Sequence, residues 1–323
     1  MKEINYLDLF SGIGGFPLGL LKAGFTFNNH YYSEIDKYAI QIYKRHFPIA
    51  MKLGDINGIS SKQFERPDII TLGFPCQDVS IAGTREGFGG QRSSLFFRAI
   101  EIINEVKPKY FIFENVKGLF SSNKGRDFEE VLQTISNIGY DGQWQLLNTK
   151  WVLPQNRERI YFIGFPRGNR RPEIFPIGEG EFNTKNEEGN RLIELTHNES
   201  DAKRVYSSNG IAKTLKAGGG GLGAKTGLYQ VGVTKRNNEI IESDISNAVD
   251  ANYHKGLDQH QQRTGVKVNS DIRRLTPTEC ERLQGFPDNW TEGISDTQRY
   301  RCIGNAVSVP IVELIMRRLY DQF

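Results

Sequence analysis

Strand-like apolar runs alternate with segments of helical periodicity over the first half of the chain. Each helix in such a pattern carries the chain back across one face of a sheet, so the pattern predicts a doubly wound, mostly parallel α/β fold. Ligands of such sheets lie beyond the carboxyl ends of the strands. The predicted strands are Ile4–Phe10, Tyr31–Ile35, Asp68–Gly73, Lys109–Glu114, Gln143–Asn148 and Arg159–Phe165; the predicted helices are one through Leu18 that ends at Gly24, Lys37–His46 with Asp36 as its N-cap, Ser93–Val106 and Phe128–Ile138.

The amino-acid composition changes after this region. Residues 166–270 are rich in Gly, Asn, Lys and Arg and contain few long apolar runs. Within them Ile211–Ala217 and Ile245–Ala251 form a weak internal repeat, each copy followed by a Gly- or Asn-rich loop. Two hairpin-like units in a small β-rich domain would produce this pattern, and so would a solvated loop region.

The chain of 323 residues is too long for one compact core and predicts two domains. Helical periodicity returns at Thr278–Gln284 and again at Ile311–Tyr320. We expect residues 1–165 together with 304–323 to form the first domain, and residues 166–303 to form the second.

Composition excludes several classes of protein. No window approaches 18 uninterrupted apolar residues, which argues against a membrane span. The scattered cysteines, Cys76, Cys280 and Cys302, suit a reducing cytoplasm and lack the paired spacing of a metal site. His254 and His260 have no nearby third ligand, so we predict no bound metal. The net charge of +3 leaves room for one basic, nucleic-acid-binding face.

Three polar features lie at the ends of the first two predicted strands and after a third short segment that precedes Asp55. The glycine loop Ser11–Gly15 lets backbone N–H groups approach an anionic ligand, although its spacing is not that of a dinucleotide site. Glu34 follows Gly14 by 20 residues, where a carboxylate commonly holds a ribose. Asp55 could accept from an adenine amino group. Each acid alone could equally cap a helix, but together they favour an adenosine-containing ligand.

Cys76 and Glu114 lie at the ends of two further predicted strands. Cys76 follows Pro75 in a polar, glycine-rich loop, a setting unlike that of a packed core cysteine. A thiol acts as a nucleophile only as the thiolate, which needs a positive or hydrogen-bonding environment, and Arg157 and Arg159 are candidates to supply it. Glu114 leaves a buried strand, where it could serve as an acid or as an N-cap.

These features belong to a longer ordered series that resembles the motifs of the DNA (cytosine-5)-methyltransferases, in particular the short bacterial restriction–modification type. The resemblance covers residues 4–320. It implies the S-adenosylmethionine-dependent methyltransferase fold with a smaller β-rich target-recognition domain. Tyr206–Gly227 resembles part of that second domain. The motifs are DLFSGIGGF, SEID, GDI, GFPCQDVS, QRSSLFF, FENVKG, QNRERIYFIGF, RRLTPTECERLQGFP and GNAVSVPI.

The resemblance implies catalytic roles for four residues. Cys76 would attack C6 of a cytosine flipped out of the duplex, which makes C5 nucleophilic. Glu114 would hold N3 and the exocyclic amine of that base, and Arg159 would contact its O2. Arg157 would orient the pocket and a nearby phosphate.

The resemblance further implies the groups that bind cofactor and DNA. The implied cofactor is S-adenosylmethionine, converted to S-adenosylhomocysteine, without a metal. Its expected contacts are Phe10, Gly12, Gly14, Gly15, Glu34, Ile35, Asp55, Ile56, Pro75, Asn305 and Val307. The expected DNA contacts are Ser80, Arg92, Arg204, Thr214 and Lys216, with Arg204 as a guanine reader.

The implied partner is double-stranded DNA, methylated by a cytoplasmic, bacterial or phage-encoded monomer with no membrane association. The restriction–modification type further implies a cognate restriction endonuclease encoded nearby as a functional partner. An RNA methyltransferase of the related tRNA-modifying branch is disfavoured, because residues 166–279 contain no cysteine for the Cys-Phe-Thr element of that branch. A binding-only relative is disfavoured by the intact Cys76, Glu114 and Arg159. A small-molecule methylase would lack the Gly- and Lys-rich region, and a nuclease would show clustered metal carboxylates.

Overall fold

Two compact units make up the described part of the chain. The computed structural model describes residues 1–74, 94–178, 233–236, 239–242, 245–257, 263–268 and 271–323. Unit 1 consists of Met1–Asn148, Glu158–Pro176 and Asn305–Phe323, and unit 2 of Thr149–Arg157 and Ile177–Gly304. These bounds differ from the predicted domains at residues 166–176, which lie in unit 1, and at Thr149–Arg157, which lies in unit 2. This segment belongs to unit 2 because its strand Gln155–Asn156 pairs in parallel with Ser246–Asn247.

Unit 1 is built on a seven-stranded sheet with the order β3-β2-β1-β4-β5-β8-β6. The first five strands in this order run parallel, and β8 is antiparallel to both β5 and β6. The prediction of a mostly parallel α/β sheet is therefore confirmed. The strands are β1 Lys2–Leu9, β2 Phe25–Ser33, β3 Met51–Gly54, β4 Ile69–Leu72, β5 Tyr110–Val116, β6 Tyr140–Asn148 and β8 Glu158–Pro166.

The helices of unit 1 lie in the connections between its strands, except for the last helix, which follows all of them. Asp36 caps α2 as predicted, because its carboxylate accepts hydrogen bonds from the backbone N–H of Tyr38 (2.8 Å) and Ala39 (3.1 Å). Gly19 of α1 has no room for a side chain, since a Cβ there would lie 2.4 Å from Val312 of α7. This close approach packs α7 against α1 within unit 1. The helices are α1 Gly15–Lys22, α2 Lys37–His46, α3 Ser94–Val106, α4 Arg126–Asn137 and α7 Val309–Tyr320.

Glycines let aromatic rings fill the centre of the sheet. Gly164 of β8 pairs with Phe111 of β5 on one side and with Gly142 of β6 on the other. A Cβ at Gly164 would lie 2.1 Å from the Phe111 ring, and one at Gly142 would lie 2.0 Å from the Phe162 ring. Phe162 in turn stacks on Phe113, with ring centroids 4.9 Å apart. The missing side chains therefore provide the space for this buried stack.

Unit 2 contains a four-stranded antiparallel sheet with the order β10-β9-β12-β13. The first copy of the internal repeat, Ile211–Ala217, lies outside the described residues. In the second copy only Ser246–Asn247 forms a strand, followed by a short 3-10 helix at Tyr253–Lys255. The elements of unit 2 are β7 Gln155–Asn156, β9 Val233–Arg236, β10 Glu239–Glu242, β11 Ser246–Asn247, β12 Thr264–Val268, β13 Asp271–Arg274, α5 Pro277–Gln284 and α6 Asp296–Asn305, whose last residue returns to unit 1.

A buried polar network crosses unit 1 behind the glycine loop. The carboxylate of Asp8 accepts hydrogen bonds from Thr71 Oγ1 (2.7 Å) and Tyr43 Oη (3.2 Å), and Tyr43 Oη also lies 2.7 Å from His30 Nε2. Tyr6 completes the network through Thr71. Burial raises the pKa of Asp8 to about 7, although hydrogen bonds from Thr71, Tyr43 and Tyr6 oppose that shift. Burial lowers the pKa of His30 to about 3.

These two groups should make opposite contributions to the pH dependence of stability. The raised pKa of Asp8 adds stability at low pH that is lost between about pH 4 and 7, whereas the lowered pKa of His30 removes stability as the pH falls from about 6.5 to 3. As the pH rises from 4 to 6.5, the free energy of unfolding of Asp8→Asn should therefore increase relative to that of the wild type, by about 1 kcal/mol per pH unit. Urea unfolding at several pH values measures this difference. His30→Gln should show the opposite slope, and parallel curves for all three proteins would contradict the assignment.

Candidate active site

The loop after β1 brings backbone N–H groups to the carboxyl edge of the sheet. Phe10 and Gly12 adopt positive φ angles of 56° and 53°, and Gly14, with φ of 86°, is the N-cap of α1. A bulky residue in this conformation is unusual and commonly marks a functional turn. The backbone N–H of Ser11 donates to the Ser33 carbonyl (3.0 Å), which ties the loop to the end of β2. Gly15 begins α1 and is buried.

Glu34 connects this loop to the start of α2. Its Oε2 accepts from the backbone N–H of Gly12 (2.9 Å), and its Oε1 accepts from Ile35 (2.8 Å) and Asp36 (2.9 Å). The side chain of Ile35 is 74% exposed beside it. The structure thus brings together the end of β1 and the end of β2 around one carboxylate.

Asp55 lies at the end of β3 and caps a short helical turn. Its Oδ1 accepts from the backbone N–H of Asn57 (2.9 Å), and Ile56 beneath it is buried. Asn305, the last residue of α6, is exposed, and Val307 in the turn between α6 and α7 is buried. Asp55 therefore caps a turn, one of the two roles predicted for it. It also lies at the edge of the sheet where ligands of such folds bind, which suits the other role, a ligand contact.

Two features of the glycine loop indicate space and hydrogen-bonding capacity for a ligand. A Cβ built on Gly12 would meet nothing within 4 Å, so this face of the loop opens onto free space. The Ser11 hydroxyl is buried and has no hydrogen-bond partner among the described residues. A buried hydroxyl without a partner is costly, and a polar group of a ligand at this loop would satisfy it.

Glu114 and Arg159 form an ion pair at the same edge. Strand β8 runs antiparallel to β5, with Val116 opposite Arg159, so β8 begins where β5 ends. Arg159 Nε lies 2.9 Å from Glu114 Oε1, and the two side chains are only 18% and 12% exposed. The reversed direction of β8 is therefore what brings this cation to the carboxyl ends of the parallel strands.

The end of β4 is fixed beside this pair. A Cβ on Gly73 would lie 3.8 Å from Glu114 Oε2. The buried Asn115 donates from Nδ2 to the Phe74 carbonyl (3.1 Å), the last described carbonyl before the cysteine loop. Sequence reasoning did not single out Asn115. Its signal was a neutral amide at the end of a strand that is otherwise apolar, where a buried polar group must find a partner.

Arg157 has a different environment from Arg159. Its side chain is only 4% exposed and donates to the carbonyls of Val249 (3.2 Å) and Gly304 (3.3 Å), all within unit 2. The structure does not place Arg157 in the Glu114–Arg159 pair.

Several predicted site residues lie outside the described part of the chain. Among the described residues, no group of three or more His, Cys, Asp or Glu is placed to hold a metal ion. None of the described helices is long and apolar enough to cross a membrane. The predicted residues outside the description are Pro75, Cys76, Ser80, Arg92, Arg204, Thr214 and Lys216.

Known proteins resemble this chain over almost its whole length. The family model of C-5 cytosine-specific DNA methylases matches residues 4–321. The chain is 38% identical over 309 residues to Type II methyltransferase M.NgoBI of Neisseria gonorrhoeae, covering 95% of this chain and 90% of that protein. It is 31% identical over 347 residues to Type II methyltransferase M.HhaI of Haemophilus parahaemolyticus, covering 98% and 94%.

A solved structure shares the fold. The crystal structure of S. pombe Dnmt2 methyltransferase superimposes with a TM-score of 0.70 at 20% sequence identity, covering 99% of each chain. A match of the family model over nearly the whole sequence, together with relatives above 30% identity, shows the family. This chain belongs to the C-5 cytosine-specific DNA methylases.

Proposed function

We propose that this protein methylates C5 of a cytosine within a specific sequence of double-stranded DNA, as the modification enzyme of a restriction–modification system. The observation that carries the proposal is the ion pair of Glu114 and Arg159, 2.9 Å apart beside the β4 end that leads to Cys76. A carboxylate and a guanidinium at one edge present an acceptor and donors toward a flat base. The names of the Type II relatives support the restriction–modification role.

The residues of the glycine loop fit S-adenosylmethionine. The open face of Gly12 leaves room beside Glu34, whose carboxylate suits a ribose. Asp55 and Ile56 are the proposed contacts to the adenine. The backbone N–H groups at the start of α1 suit the methionine carboxylate. Phe10, Gly14, Gly15, Ile35, Pro75, Asn305 and Val307 complete the proposed set. When bound, S-adenosylmethionine supplies an electrophilic methyl group and is converted to S-adenosylhomocysteine.

The proposed chemistry begins at Cys76. Its thiolate forms a bond to C6 of the extruded cytosine, and the electron pair of the C5–C6 double bond becomes available at C5. Glu114 holds N3 and the exocyclic amine and shares the proton that relieves charge on the ring, while Arg159 donates to O2. After C5 is methylated, water takes up the C5 proton. The electron pair of the broken C5–H bond restores the C5–C6 double bond as the C6–S bond breaks and releases the thiolate.

We assign DNA recognition to unit 2 and to the loop that carries Cys76. Arg side chains read guanine through O6 and N7, which supports Arg204 as a base contact, while Ser80, Arg92, Thr214 and Lys216 are proposed contacts to the backbone or the extruded base. The protein would act as a cytoplasmic monomer without a metal, and a cognate endonuclease encoded nearby would be a functional partner.

Transfer of a tritiated methyl group tests the proposal directly. Plasmid DNA and bulk tRNA compete as acceptors for label from S-adenosylmethionine, and the DNA is then sequenced after bisulfite treatment. We expect label in DNA, with protected cytosines confined to one short sequence context. Label only in tRNA would move the protein to the RNA branch, and no label in either acceptor would favour a binding-only role.

Glu34 should contribute mainly to cofactor affinity. We expect Glu34→Ala to weaken S-adenosylmethionine binding by about tenfold to a hundredfold, the loss of a hydrogen bond to a charged group, with little change in DNA binding. Isothermal titration with the cofactor and a DNA-binding assay separate the two effects. Glu101→Ala, which removes an exposed carboxylate of α3, is the control. An unchanged cofactor affinity would exclude Glu34 from the ribose site.

A further inference from the structure

The C-terminal end of α6 is held by side chains from other elements. The last carbonyls of a helix have no partner within the helix and must be satisfied from outside. In α6 the Ile303 carbonyl accepts from Gln284 Nε2 (3.2 Å), and the Gly304 carbonyl accepts from both Nη atoms of Arg157 (3.4 and 3.3 Å). A guanidinium at this end also interacts favourably with the helix dipole. Arg157 thus acts as a C-terminal cap for α6.

The second copy of the internal repeat forms the other side of this contact. Arg157 Nη1 donates to the Val249 carbonyl (3.2 Å), and the fully buried Gln155 accepts from the Val249 N–H (3.1 Å). Gln155 Nε2 also donates to the Leu283 carbonyl (2.6 Å) at the end of α5. We call these side chains, Gln155, Arg157 and Gln284, the carbonyl clamp.

The absence of a side chain at Gly304 allows the second repeat to lie close enough to α6 for the carbonyl clamp to form. A Cβ on Gly304 would lie 2.3 Å from the Asp250 carbonyl carbon and 2.3 Å from the Ala251 nitrogen. Backbone atoms cannot move aside as a flexible side chain can, so an alanine would push the repeat away from the helix. Asn305 is the last residue of α6 and directly follows this contact.

We infer that Arg157 is a positioning residue, which fixes the end of α6 and thereby Asn305 and the following turn with Val307. The second repeat is its structural support. The inference rests on the proposed function, which assigns these two residues to the S-adenosylmethionine site. It gives Arg157 a role in cofactor affinity in place of a contact to a DNA phosphate. Its buried hydrogen bonds to carbonyl groups support that role.

Cofactor affinity in the absence of DNA provides the test. Isothermal titration of the full chain with S-adenosylmethionine should give a dissociation constant about tenfold higher for Arg157→Met, equivalent to the loss of one hydrogen bond of about 1.4 kcal/mol. Gly304→Ala should have a similar effect without any change of charge. Arg157→Lys, which retains a cationic donor, should lie between the wild type and Arg157→Met. DNA affinity should remain unchanged in all three.

Gly142→Ala is a matched control for a glycine that cannot accept a Cβ. Its side chain would collide with Phe162 of the sheet, so its melting temperature should fall while its cofactor affinity stays that of the wild type. If Arg157→Met does not fold, Arg157→Lys and Gly304→Ala carry the test.

Two results would overturn the inference while leaving the proposed function intact. One is unchanged cofactor affinity in the folded variants. The other is weaker DNA binding by Arg157→Met with normal cofactor affinity. That result would indicate that Arg157 acts at a DNA phosphate, as the resemblance implies. A wild-type protein that does not bind S-adenosylmethionine would instead remove the proposed function, and this inference with it.

Discussion

Replacement of Cys76 by serine or alanine should abolish methyl transfer while leaving S-adenosylmethionine binding largely intact. Cytosine C5 is a poor nucleophile until a thiolate adds to C6, and a hydroxyl at neutral pH cannot replace the thiolate. We expect the rate to fall below detection, a loss of at least about 10⁴-fold, because the covalent step and not binding is removed. Tritium transfer to DNA measures the rate, and isothermal titration measures cofactor affinity.

The other cysteines provide matched controls for this prediction. Cys280 and Cys302 are both buried in unit 2, and burial raises the pKa of the Cys280 thiol, which keeps it protonated and unreactive. Cys302→Ala and Cys280→Ala should therefore retain the rate per folded molecule, at some cost in stability. Turnover that survives in Cys76→Ala would show that the reaction does not proceed through this thiolate.

Glu114→Gln should cause the second largest loss. The substitution keeps the shape of the side chain but removes the charge that faces Arg159 at 2.9 Å and the capacity to share a proton with the cytosine ring. We expect kcat to fall by about 10²-fold to 10⁴-fold, the usual contribution of a positioned acid or base. Cofactor affinity should remain that of the wild type, because the glycine loop is untouched.

Glu158→Gln separates this effect from the loss of any ion pair near the sheet edge. Glu158 is adjacent to Arg159 in the sequence and pairs with Lys117 at 2.8 Å, but the side chains of Glu158 and Lys117 are 37% and 56% exposed. Exposed ion pairs contribute little, so its kcat should change by less than about twofold. Equal losses in Glu114→Gln and Glu158→Gln would argue that Glu114 acts only through local electrostatics.

Local signals in the sequence were sufficient for many elements. Helix α2 has the predicted bounds, because Asp36 offers a carboxylate to the first N–H groups and an amphipathic run follows. The strand that ends near Glu114 was recognisable from its apolar composition. The ordered series of motifs was sufficient to predict the family, because it resembles the motif series of known members over residues 4–320.

Elements that depend on partners distant in the sequence were missed or shortened. Strand β2 begins at Phe25, six residues before the predicted start, because its polar residues are satisfied by other parts of unit 1. Asn29 donates to Asn5 Oδ1 (3.0 Å), and His30 pairs with Tyr43. Helix α6 was not predicted, since it is polar overall and is stabilised by the burial of residues such as Tyr300. No local pattern reveals such partners.

The sequence by itself determined the family, the mostly parallel sheet and the candidate residues at the ends of its strands, because those features arise from local periodicity and from the order of motifs. Tertiary structure alone decided what Arg157 and Arg159 each contact. They are two residues apart, yet one caps α6 within unit 2 and the other pairs with Glu114 in unit 1. The physical reason is strand pairing: β7 joins β11, whereas β8 joins β5 in the antiparallel direction, and hydrogen bonds between distant strands leave no trace in the local sequence.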